Sequence, residues 1–527
     1  MINCDIHDFD VDDEQKLIDD VQSGKYDVIG MSVTHVNMSI DLNMLIKLNN
    51  SLPIGKDAIF VLGGQEATLN YKQWLESGVA DICFLGFAEY TFSKFCYSIG
   101  KYINKFHNNK GHLHKDIIHI LQNLDGVAYI DKFNINNNAV YNPSKALTKD
   151  EFTDLFYDRA INIRVPYERY WSIIGAKKKN EFNNADFTIK TARLYTVSHC
   201  PRRCGFCSSQ SFIPESQNKK SSIIMLTAYQ VYDLVERYVK DYSVQAFLFS
   251  DDDFPVGNRE GLIRLKDFCD LIIDAKNNDI LPDSLNFFCQ ARALDFIKRG
   301  SKERVVSIDL LKKMSNAGFK NIGLGIETFS DRLLHKPSVN KLGVNSSDYN
   351  IVIDSMLKLG IVPQMFIIIG IPESTISDVM LSIKKSASYV MKGADMAVIS
   401  TMRAYPGSPV LLNNKYRVST TPWDNKEKNI RIKILDYFIP SNQTIAAIIN
   451  KIDPAVIEEQ NKLKLVMNWD EGVIVSKSLV AMTQFIAVSK LLEQFDIAND
   501  LYKKLYKSLG FSRVQIEKFI SLEGHNF

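Results

Sequence analysis

The sequence predicts an α/β protein with two successive strand–helix series and a helical C-terminal segment. In the first series, helical stretches separate three apolar, β-rich runs, at Asp27–Val33, Ala58–Leu62 and Asp81–Leu85. In the second series, six candidate strands end at Val197, Ser250, Cys289, Ile326, Ile369 and Ser400. Alternation of this kind is typical of parallel sheets whose strands are joined by crossover helices.

Composition indicates a multidomain globular protein. A chain of 527 residues is long enough for two or three domains, and 46% hydrophobic with 24% charged residues is ordinary for such a protein. The net charge of +2 gives no bulk attraction to nucleic acid or to a membrane surface, so we expect neither partner. The longest apolar stretch, near Met365–Pro372, is too short to span a bilayer.

The order of the elements suggests four regions. Residues 1–125 would form an incomplete doubly wound, flavodoxin-like domain, and residues 126–186 a linker that contains a hairpin. The six strands of residues 187–412 fit a partial (β/α)6 barrel, in which chemistry gathers at the carboxyl ends of the strands. Residues 413–527 contain no cysteine and show helical spacing, which predicts a helical domain over the barrel mouth.

The most specific motif is Cys200-Pro201-Arg202-Arg203-Cys204-Gly205-Phe206-Cys207, directly after the first strand of the second series. A loop this short can present three thiolates to an iron–sulfur cluster and leave one iron open to another ligand. A zinc site would need a fourth ligand such as the adjacent His199, and a disulfide would leave one cysteine unpaired. The other five cysteines are scattered, as in proteins of the reducing cytoplasm, where an oxygen-sensitive cluster survives.

This motif resembles the signature of the radical S-adenosylmethionine (SAM) superfamily, with Phe206 as the aromatic residue before the third cysteine. The resemblance implies that Cys200, Cys204 and Cys207 bind three irons of a [4Fe–4S] cluster and that SAM chelates the fourth. An external electron donor of the flavodoxin or ferredoxin type would reduce the cluster. SAM would then yield a 5′-deoxyadenosyl radical that abstracts hydrogen from a small-molecule substrate.

The later strand ends extend the resemblance and imply a SAM site. Asp251 and Asp252 would meet the SAM amino group, Arg292 its carboxylate and Glu327 the ribose hydroxyls, while Gly370, Tyr405 and Pro406 would contact adenine. From the residues alone, a helix N-cap remains an alternative for Asp253, and an outward salt bridge remains one for Arg292. The sequence does not identify a catalytic acid or base.

The first series resembles the cobalamin-binding domain that precedes many radical SAM cores. The matching pieces are Val28–Ser32, Val61–Gly64 with Thr68, and Phe84–Phe92. In the alignment, the first strand–helix unit of that domain is missing and Cys4–Phe9 falls on the second strand. Cobalamin is therefore a candidate third cofactor, although Asp5-Ile6-His7 matches only half of the family's Asp-x-His-x-x-Gly motif and Asp10 replaces its glycine.

Two further expectations follow from the incomplete domain. His7 should be an ordinary residue at a strand end. The edge of the sheet near Asp27–Val33 should be exposed, which invites pairing with a partner protein or a second copy of the chain.

The leading functional expectation is a radical SAM enzyme that rearranges, oxidises or cyclises a small molecule without methyl transfer. The first alternative is a cobalamin-dependent C-methyltransferase. A methylthiotransferase or tRNA modifier is disfavoured because the chain has no second cysteine triad and no basic RNA-binding module. A non-catalytic scaffold is the remaining alternative, but a scaffold has no need of three reactive thiols.

Overall fold

The computed structural model describes residues 3–9, 11–100, 115–131, 138–162, 165–177, 190–217, 222–298, 303–395, 398–426, 430–467 and 477–522. The chain forms two compact units. The smaller unit comprises Met1–Thr148, Phe206–Ser222 and Arg403–Tyr437, and the larger unit comprises Lys149–Gly205, Ile223–Met402 and Phe438–Phe527. None of the described helices is long and apolar enough to cross a membrane.

The helices of the described residues fall into an N-terminal, a central and a C-terminal group. The first group is α1 (Glu14–Gln22), α2 (Met38–Ser51), α3 (Gly64–Glu76), α4 (Glu89–Ile99), α5 (Lys115–Gln122), α6 (Lys149–Thr153), α7 (Arg159–Asn162), α8 (Tyr167–Lys177) and α9 (Ser209–Gln217). The central group is α10 (Ala228–Tyr242), α11 (Arg259–Asn277), α12 (Ile308–Ala317), α13 (Asp331–Leu334), α14 (Ser346–Lys358), α15 (Ile376–Lys392) and α16 (Pro409–Leu412). The last group is α17 (Gln443–Val466), α18 (Lys477–Leu491), α19 (Phe495–Ser508) and α20 (Arg513–Leu522).

The smaller unit is built on a five-stranded sheet in the order β1-β2-β3-β4-β5. Its strands are β1 (Val28–Ser32), β2 (Ile59–Gly63), β3 (Ile82–Phe84), β4 (Val127–Ile130) and β5 (Ala139–Asn142). The first three are parallel, as the strand–helix alternation predicts, and β4 and β5 form the predicted hairpin. The hairpin pairs with β3 and extends this sheet, so it is part of the sheet rather than a separate element.

The N-terminal residues differ from their predicted structure. Residues 3–8 are irregular, and β1 is the terminal strand of the sheet among the described strands. The expectation that His7 ends a strand is therefore wrong. Its Nε2 lies 3.3 Å from the Tyr26 hydroxyl, in a polar contact that includes Asp5 and Lys25.

The larger unit contains the predicted six-stranded parallel sheet, in the order β11-β10-β9-β8-β7-β6. The strands are β6 (Thr191–Leu194), β7 (Ala246–Phe249), β8 (Asn286–Ala291), β9 (Phe319–Glu327), β10 (Val362–Ile369) and β11 (Val398–Thr401). Sequential neighbours pair throughout, which is the topology of a partial barrel. The fold class is confirmed, and the carboxyl ends of these strands place the candidate site.

Among the described residues after 412, the chain is helical except for one hairpin that the sequence analysis did not predict. The hairpin consists of β12 (Val418–Asn425) and β13 (Ile430–Phe438). Ile430, Ile432 and Ile434 alternate with exposed residues and enter the core of the smaller unit. This period of two indicates a strand in a region for which helical spacing predicts helices. Helices α17–α20 follow the hairpin.

Candidate functional site

Asp251, just after the carboxyl end of β7, binds the backbone that leads into the cysteine loop. Its Oδ1 accepts hydrogen bonds from the backbone N–H groups of Thr196 (2.6 Å) and Val197 (2.8 Å), and its Oδ2 accepts one from the Thr196 hydroxyl (2.6 Å). The residue is fully buried, and burial raises the pKa of this carboxyl to about 6, although the Arg264 guanidinium acts in the opposite direction. Asp251 thus fixes the start of the loop that carries the cysteines.

A buried arginine completes this anchor. The Arg264 guanidinium donates to the Thr196 hydroxyl (3.1 Å) and to the Phe254 carbonyl (2.8 Å), and it lies 4.8 Å from the centre of the Phe254 ring. Burial lowers the pKa of Arg264 to about 10, against the raising effect of Asp251. Because a buried charge is stable only when it is paired and hydrogen-bonded, the two residues depend on each other.

We expect Asp251→Asn to destabilise the larger unit. The asparagine amide would place an N–H group against donors that now meet a carboxylate, and an unsatisfied buried group costs about 2 kcal/mol. The thermal midpoint followed by circular dichroism should fall by about 5 °C. Asp267→Asn, at an exposed aspartate of α11, is the matched control and should leave the midpoint within about 1 °C. An unchanged midpoint in Asp251→Asn would contradict the anchoring role.

Arg202, between the first two cysteines, clamps the loop to two buried carboxylates. Its Nε donates to Asp253 Oδ2 (3.0 Å), and its Nη2 donates to Asp295 Oδ1 (3.0 Å) and to the Val256 carbonyl (2.5 Å). Burial and the neighbouring Asp295 raise the pKa of Asp253. The N-cap alternative for Asp253 is wrong, since α11 begins later, with Asn258 as its cap.

The middle of the cysteine loop lies against residues 337–340. A Cβ on Gly205 would sit 2.0 Å from the Pro337 carbonyl oxygen, and the Gly205 N–H donates to the Val339 carbonyl (3.0 Å). The Asn340 side-chain amide donates to the Arg203 carbonyl (2.5 Å). Only glycine permits this close approach, so the residue between Cys204 and Phe206 has a structural reason to lack a side chain.

Glu327 ends β9 in an unusual conformation and is paired with a buried lysine. Its φ of +64° lies in the left-handed region, where a residue with a side chain is strained by about 1–3 kcal/mol. Lys341 Nζ lies 2.8 Å from Glu327 Oε1 and also donates to the Gly325 carbonyl. Burial would lower the pKa of Lys341, but the Glu327 carboxylate outweighs it and raises that pKa. The pair holds the Glu327 carboxylate in place.

Tyr349 of α14 adds a polar group beside this pair. Its hydroxyl is buried and has no hydrogen-bond partner among the described residues. Burial raises the pKa of Tyr349, and the charges of Lys341, Glu327, Arg292 and Cys204 all act on it. The hydroxyl is therefore a donor that lies near the predicted ribose-binding carboxylate.

The other residues predicted to bind SAM are placed as follows. Phe206 and Arg292 are partly buried, and Asp252 is exposed. Arg292 precedes a short 3-10 helix, Ala293–Phe296, and its backbone N–H donates to Asp295 Oδ2 (2.8 Å). A Cβ on Gly370, which has a φ of +76°, would lie 2.4 Å from Ile449 Cδ1, so packing against α17 also requires this glycine. Adenine binding at Gly370 stays a prediction.

Tyr405 and Pro406 lie in the smaller unit, ahead of α16. Burial raises the pKa of Tyr405, whose ring packs edge-on against the His35 imidazole with 5.3 Å between centroids. Pro406 is buried. Contact of either residue with adenine stays a prediction.

The geometry bears on the choice between an iron–sulfur cluster and a single metal ion. The three cysteines of the loop are partly exposed. Within the described part of the chain, no three His, Cys, Asp or Glu side chains converge as a single ion would require. In a cubane cluster each thiolate binds a different iron, so the loop fits the cluster better than zinc. His199 is buried beside Ser198, and burial lowers its pKa.

The carboxyl edge of the smaller unit's sheet has space for a ligand. Gly63 ends β2, and a Cβ built there would meet nothing within 4 Å. The Thr68 hydroxyl donates to the Gly64 carbonyl (2.9 Å) and accepts from the Gly86 N–H (2.9 Å), which links the loops after β2 and β3. Open α/β sheets bind ligands at this edge. His35, in the loop after β1, is a further polar group there, and its Nδ1 lies 3.3 Å from Glu66 Oε2.

Several residues of this arrangement were missed by the sequence analysis. They are Arg202, Arg264, Asp295, Lys341, Tyr349 and the His35–Glu66 pair. Arg202 had a signal, because it lies inside the cysteine motif. The others contact partners far along the chain, and no local pattern marks them.

Two family models match the chain. Residues 1–95 match the B12 binding domain, and residues 194–385 match the Radical SAM superfamily. No curated protein sequence matches the chain.

Solved structures share the architecture at low sequence identity. One is the radical S-adenosylmethionine methyltransferase TsrM from Kitasatospora setae with cobalamin and [4Fe–4S] cluster bound, at 12% identity and a TM-score of 0.56, covering 94% of this chain and 92% of that chain. Another is the cobalamin-dependent S-adenosylmethionine radical enzyme OxsB with aqua-cobalamin bound, at 12% identity and a TM-score of 0.58, covering 97% of this chain and 74% of that chain. At such identities the likeness establishes the fold.

Proposed function

Because the chain belongs to the radical SAM superfamily and carries a B12-binding domain before its core, we propose that it is a cobalamin-dependent radical SAM methyltransferase acting on a small molecule. The proposal depends on two features found in one chain. One is a three-cysteine loop held by hydrogen bonds and ion pairs, and the other is a B12-type sheet whose carboxyl edge is open at Gly63. A radical SAM enzyme uses a [4Fe–4S] cluster and SAM.

The comparisons favour methyl transfer over the leading expectation from sequence. One protein that shares the architecture, TsrM, is a radical S-adenosylmethionine methyltransferase, and another, OxsB, is a cobalamin-dependent S-adenosylmethionine radical enzyme. The B12 binding model also matches residues 1–95, although half of the Asp-x-His-x-x-Gly motif is absent. A radical rearrangement or oxidation without methyl transfer becomes the second candidate.

In this proposal the residues of the chain bind and orient the cofactors. Cys200 and Cys204, with Cys207, hold the cluster, and the Arg202 clamp and the Asp251 anchor set the position of their loop. Glu327, paired with Lys341 through its Oε1, would accept hydrogen bonds from the ribose hydroxyls of SAM. Asp252, Arg292 and the Tyr349 hydroxyl are further polar groups offered to SAM.

When bound, the cluster, SAM and cobalamin supply the electron, the radical and the methyl group, so the chain itself needs no nucleophile. The task of the protein is to fix the reacting carbon against the substrate and to exclude water and oxygen. The substrate is a small molecule, as it is in a structure of TsrM with tryptophan substrate and a SAM analog bound. In this proposal an external one-electron donor of the flavodoxin or ferredoxin type reduces the cluster.

The test is anaerobic reconstitution with iron and sulfide, with and without hydroxocobalamin. After desalting, iron, corrin and the products formed from SAM under reducing conditions are measured. We expect four irons per chain, retained corrin, and S-adenosylhomocysteine from methyl transfer alongside 5′-deoxyadenosine. If the chain holds four irons and forms 5′-deoxyadenosine but retains no corrin and forms no S-adenosylhomocysteine, the reaction is hydrogen abstraction without methyl transfer. The absence of any cluster would overturn the proposal.

A further inference from the structure

One face of the larger unit's sheet packs against helices, and the other faces the lumen of the partial barrel. In β8 and β10 every second side chain is buried, among them Phe287, Cys289, Met365 and Ile367. The Phe287 ring packs against Phe268 of α11, with 5.5 Å between ring centroids, so these buried side chains mark the helix side. Because successive side chains of a strand point to opposite faces, the residues between them face the lumen.

Two phenylalanine rings meet over a glycine on the lumen face. Gly323 belongs to β9, which lies between β8 and β10. A Cβ built on Gly323 would lie 3.1 Å from Phe288 Cζ and 2.7 Å from Phe366 Cε2. The position thus requires glycine because the two rings occupy the space of a side chain. Together the rings form an apolar floor that crosses three strands.

Two glutamines flank the same glycine. In the sheet register, Gly323 lies opposite Gln290 of β8 on one side and opposite Gln364 of β10 on the other. Gln290 is exposed and Gln364 is partly buried, and neither side-chain amide has a hydrogen-bond partner among the residues that the structure describes. A primary amide carries a donor and an acceptor in one plane. The two amides can therefore satisfy a ligand edge that presents both.

The strands offer no unpaired charge beside Gly323. None of β7, β8, β10 and β11 contains a charged residue. The charged residues of this sheet are Arg193 on the edge strand β6, and Lys320 and Glu327 near the two ends of β9. Lys341 reaches the Gly325 carbonyl, but it is paired with Glu327. An ionised ligand group without a partner is costly to remove from water, so the surface around Gly323 suits an uncharged group.

This surface lies directly below the predicted SAM site. Gln290 comes two residues before Arg292, which is predicted to meet the SAM carboxylate, and Gly323 comes four residues before Glu327, which is predicted to meet the ribose. A molecule on the lumen face at Gly323 would thus lie next to SAM. Such proximity is what a reaction between the two requires.

We propose that Phe288, Gln290, Gln364 and Phe366 form the substrate site around Gly323, and that it binds an uncharged, planar heteroaromatic ring whose edge carries both an N–H donor and an acceptor. The assignment of this ligand as the substrate rests on the proposed function. The ring lies on the two phenylalanines, because flat rings stack favourably on aromatic side chains. The two glutamines bind its edge, as glutamine amides bind the edge of a nucleobase. An apolar pocket with a few convergent polar groups is typical of small-molecule sites.

The experiment measures the binding of three probes to the full chain by ligand-observed nuclear magnetic resonance. Quinolin-2-one is planar and carries an N–H donor beside a carbonyl acceptor. 1-Methylquinolin-2-one keeps the plane and the acceptor but lacks the donor, and decahydroquinolin-2-one keeps the donor and acceptor but is not planar. We expect quinolin-2-one to bind at least tenfold more tightly than either of the others, because each lacks one of the two required features.

Variants then locate the binding site. Gln290→Leu/Gln364→Leu replaces both amides with apolar side chains of similar size, so it should weaken quinolin-2-one binding at least tenfold and remove its advantage over 1-methylquinolin-2-one. Circular dichroism checks that this variant is folded. Gln22→Leu is the matched control, at an exposed glutamine at the end of α1 in the smaller unit, and it should leave all three affinities unchanged.

Two results would overturn the inference. Equal affinities for the three probes would refute the ring class, and quinolin-2-one binding that persists in Gln290→Leu/Gln364→Leu would place the site elsewhere. Both measurements are made without cofactors, so they are independent of the iron, corrin and SAM products that test the proposed function. If the probes bind as expected but reconstitution fails to show methyl transfer, the ring site stands and its assignment to a methylation substrate is refuted.

Discussion

Cys204→Ser should reduce the iron content of the reconstituted chain from four per chain to background and abolish SAM cleavage. A thiolate is the ligand that iron–sulfur clusters require, and serine cannot replace it at neutral pH. With only two cysteines left in the loop, no cubane can be held by three thiolates. Iron analysis and the visible absorption of the cluster, measured after desalting under anaerobic conditions, check this directly.

Cys96→Ser is the matched control for this variant. Cys96 is partly buried, as the loop cysteines are, but it lies in α4 of the smaller unit. The control should keep four irons and full SAM cleavage. A Cys204→Ser protein that retains the cluster would show that the loop is not its binding site.

Much of the architecture could be predicted because the signals for it are local. The six strands of the second series end within three residues of their predicted positions, since β-rich runs bounded by helical stretches are a pattern of neighbouring residues. The cysteine motif is equally local. The functional roles at the other strand ends came from family resemblance, and they remain predictions for Asp252, Arg292 and Gly370.

The supports of the site could not be predicted because they join distant parts of the chain. Arg202 meets Asp295 across 93 residues, and Thr196 meets Asp251 across 55. Asp251 is an instructive case, since the sequence suggested that it binds the SAM amino group. In the structure its carboxylate accepts three hydrogen bonds from Thr196 and Val197, and these favour an anchoring role.

The Lys341–Glu327 pair also could not be predicted from the sequence. Breaking it should weaken SAM binding strongly, the second largest effect that we expect. Lys341→Met leaves the buried Glu327 carboxylate without its cation, and removing one partner of a buried pair costs about 3–5 kcal/mol. The unpaired carboxylate should take up a proton or leave its strained conformation, and either change removes the acceptor offered to the SAM ribose. If about 3 kcal/mol of this cost appears in binding, the Kd for SAM rises about 100-fold.

Equilibrium binding of SAM to the reconstituted protein, with the change in the spectrum of the reduced cluster as a second readout, measures this effect. Lys490→Met is the matched control, because Lys490 Nζ pairs with Glu459 Oε1 at 2.9 Å in the helical C-terminal region. It should destabilise the fold while leaving the Kd for SAM within about twofold. The double variant Glu327→Gln/Lys341→Met should regain stability, since no buried charge is left unpaired, but its SAM binding should stay weak because the carboxylate is gone. Wild-type affinity in Lys341→Met would mean that Glu327 has no part in holding SAM.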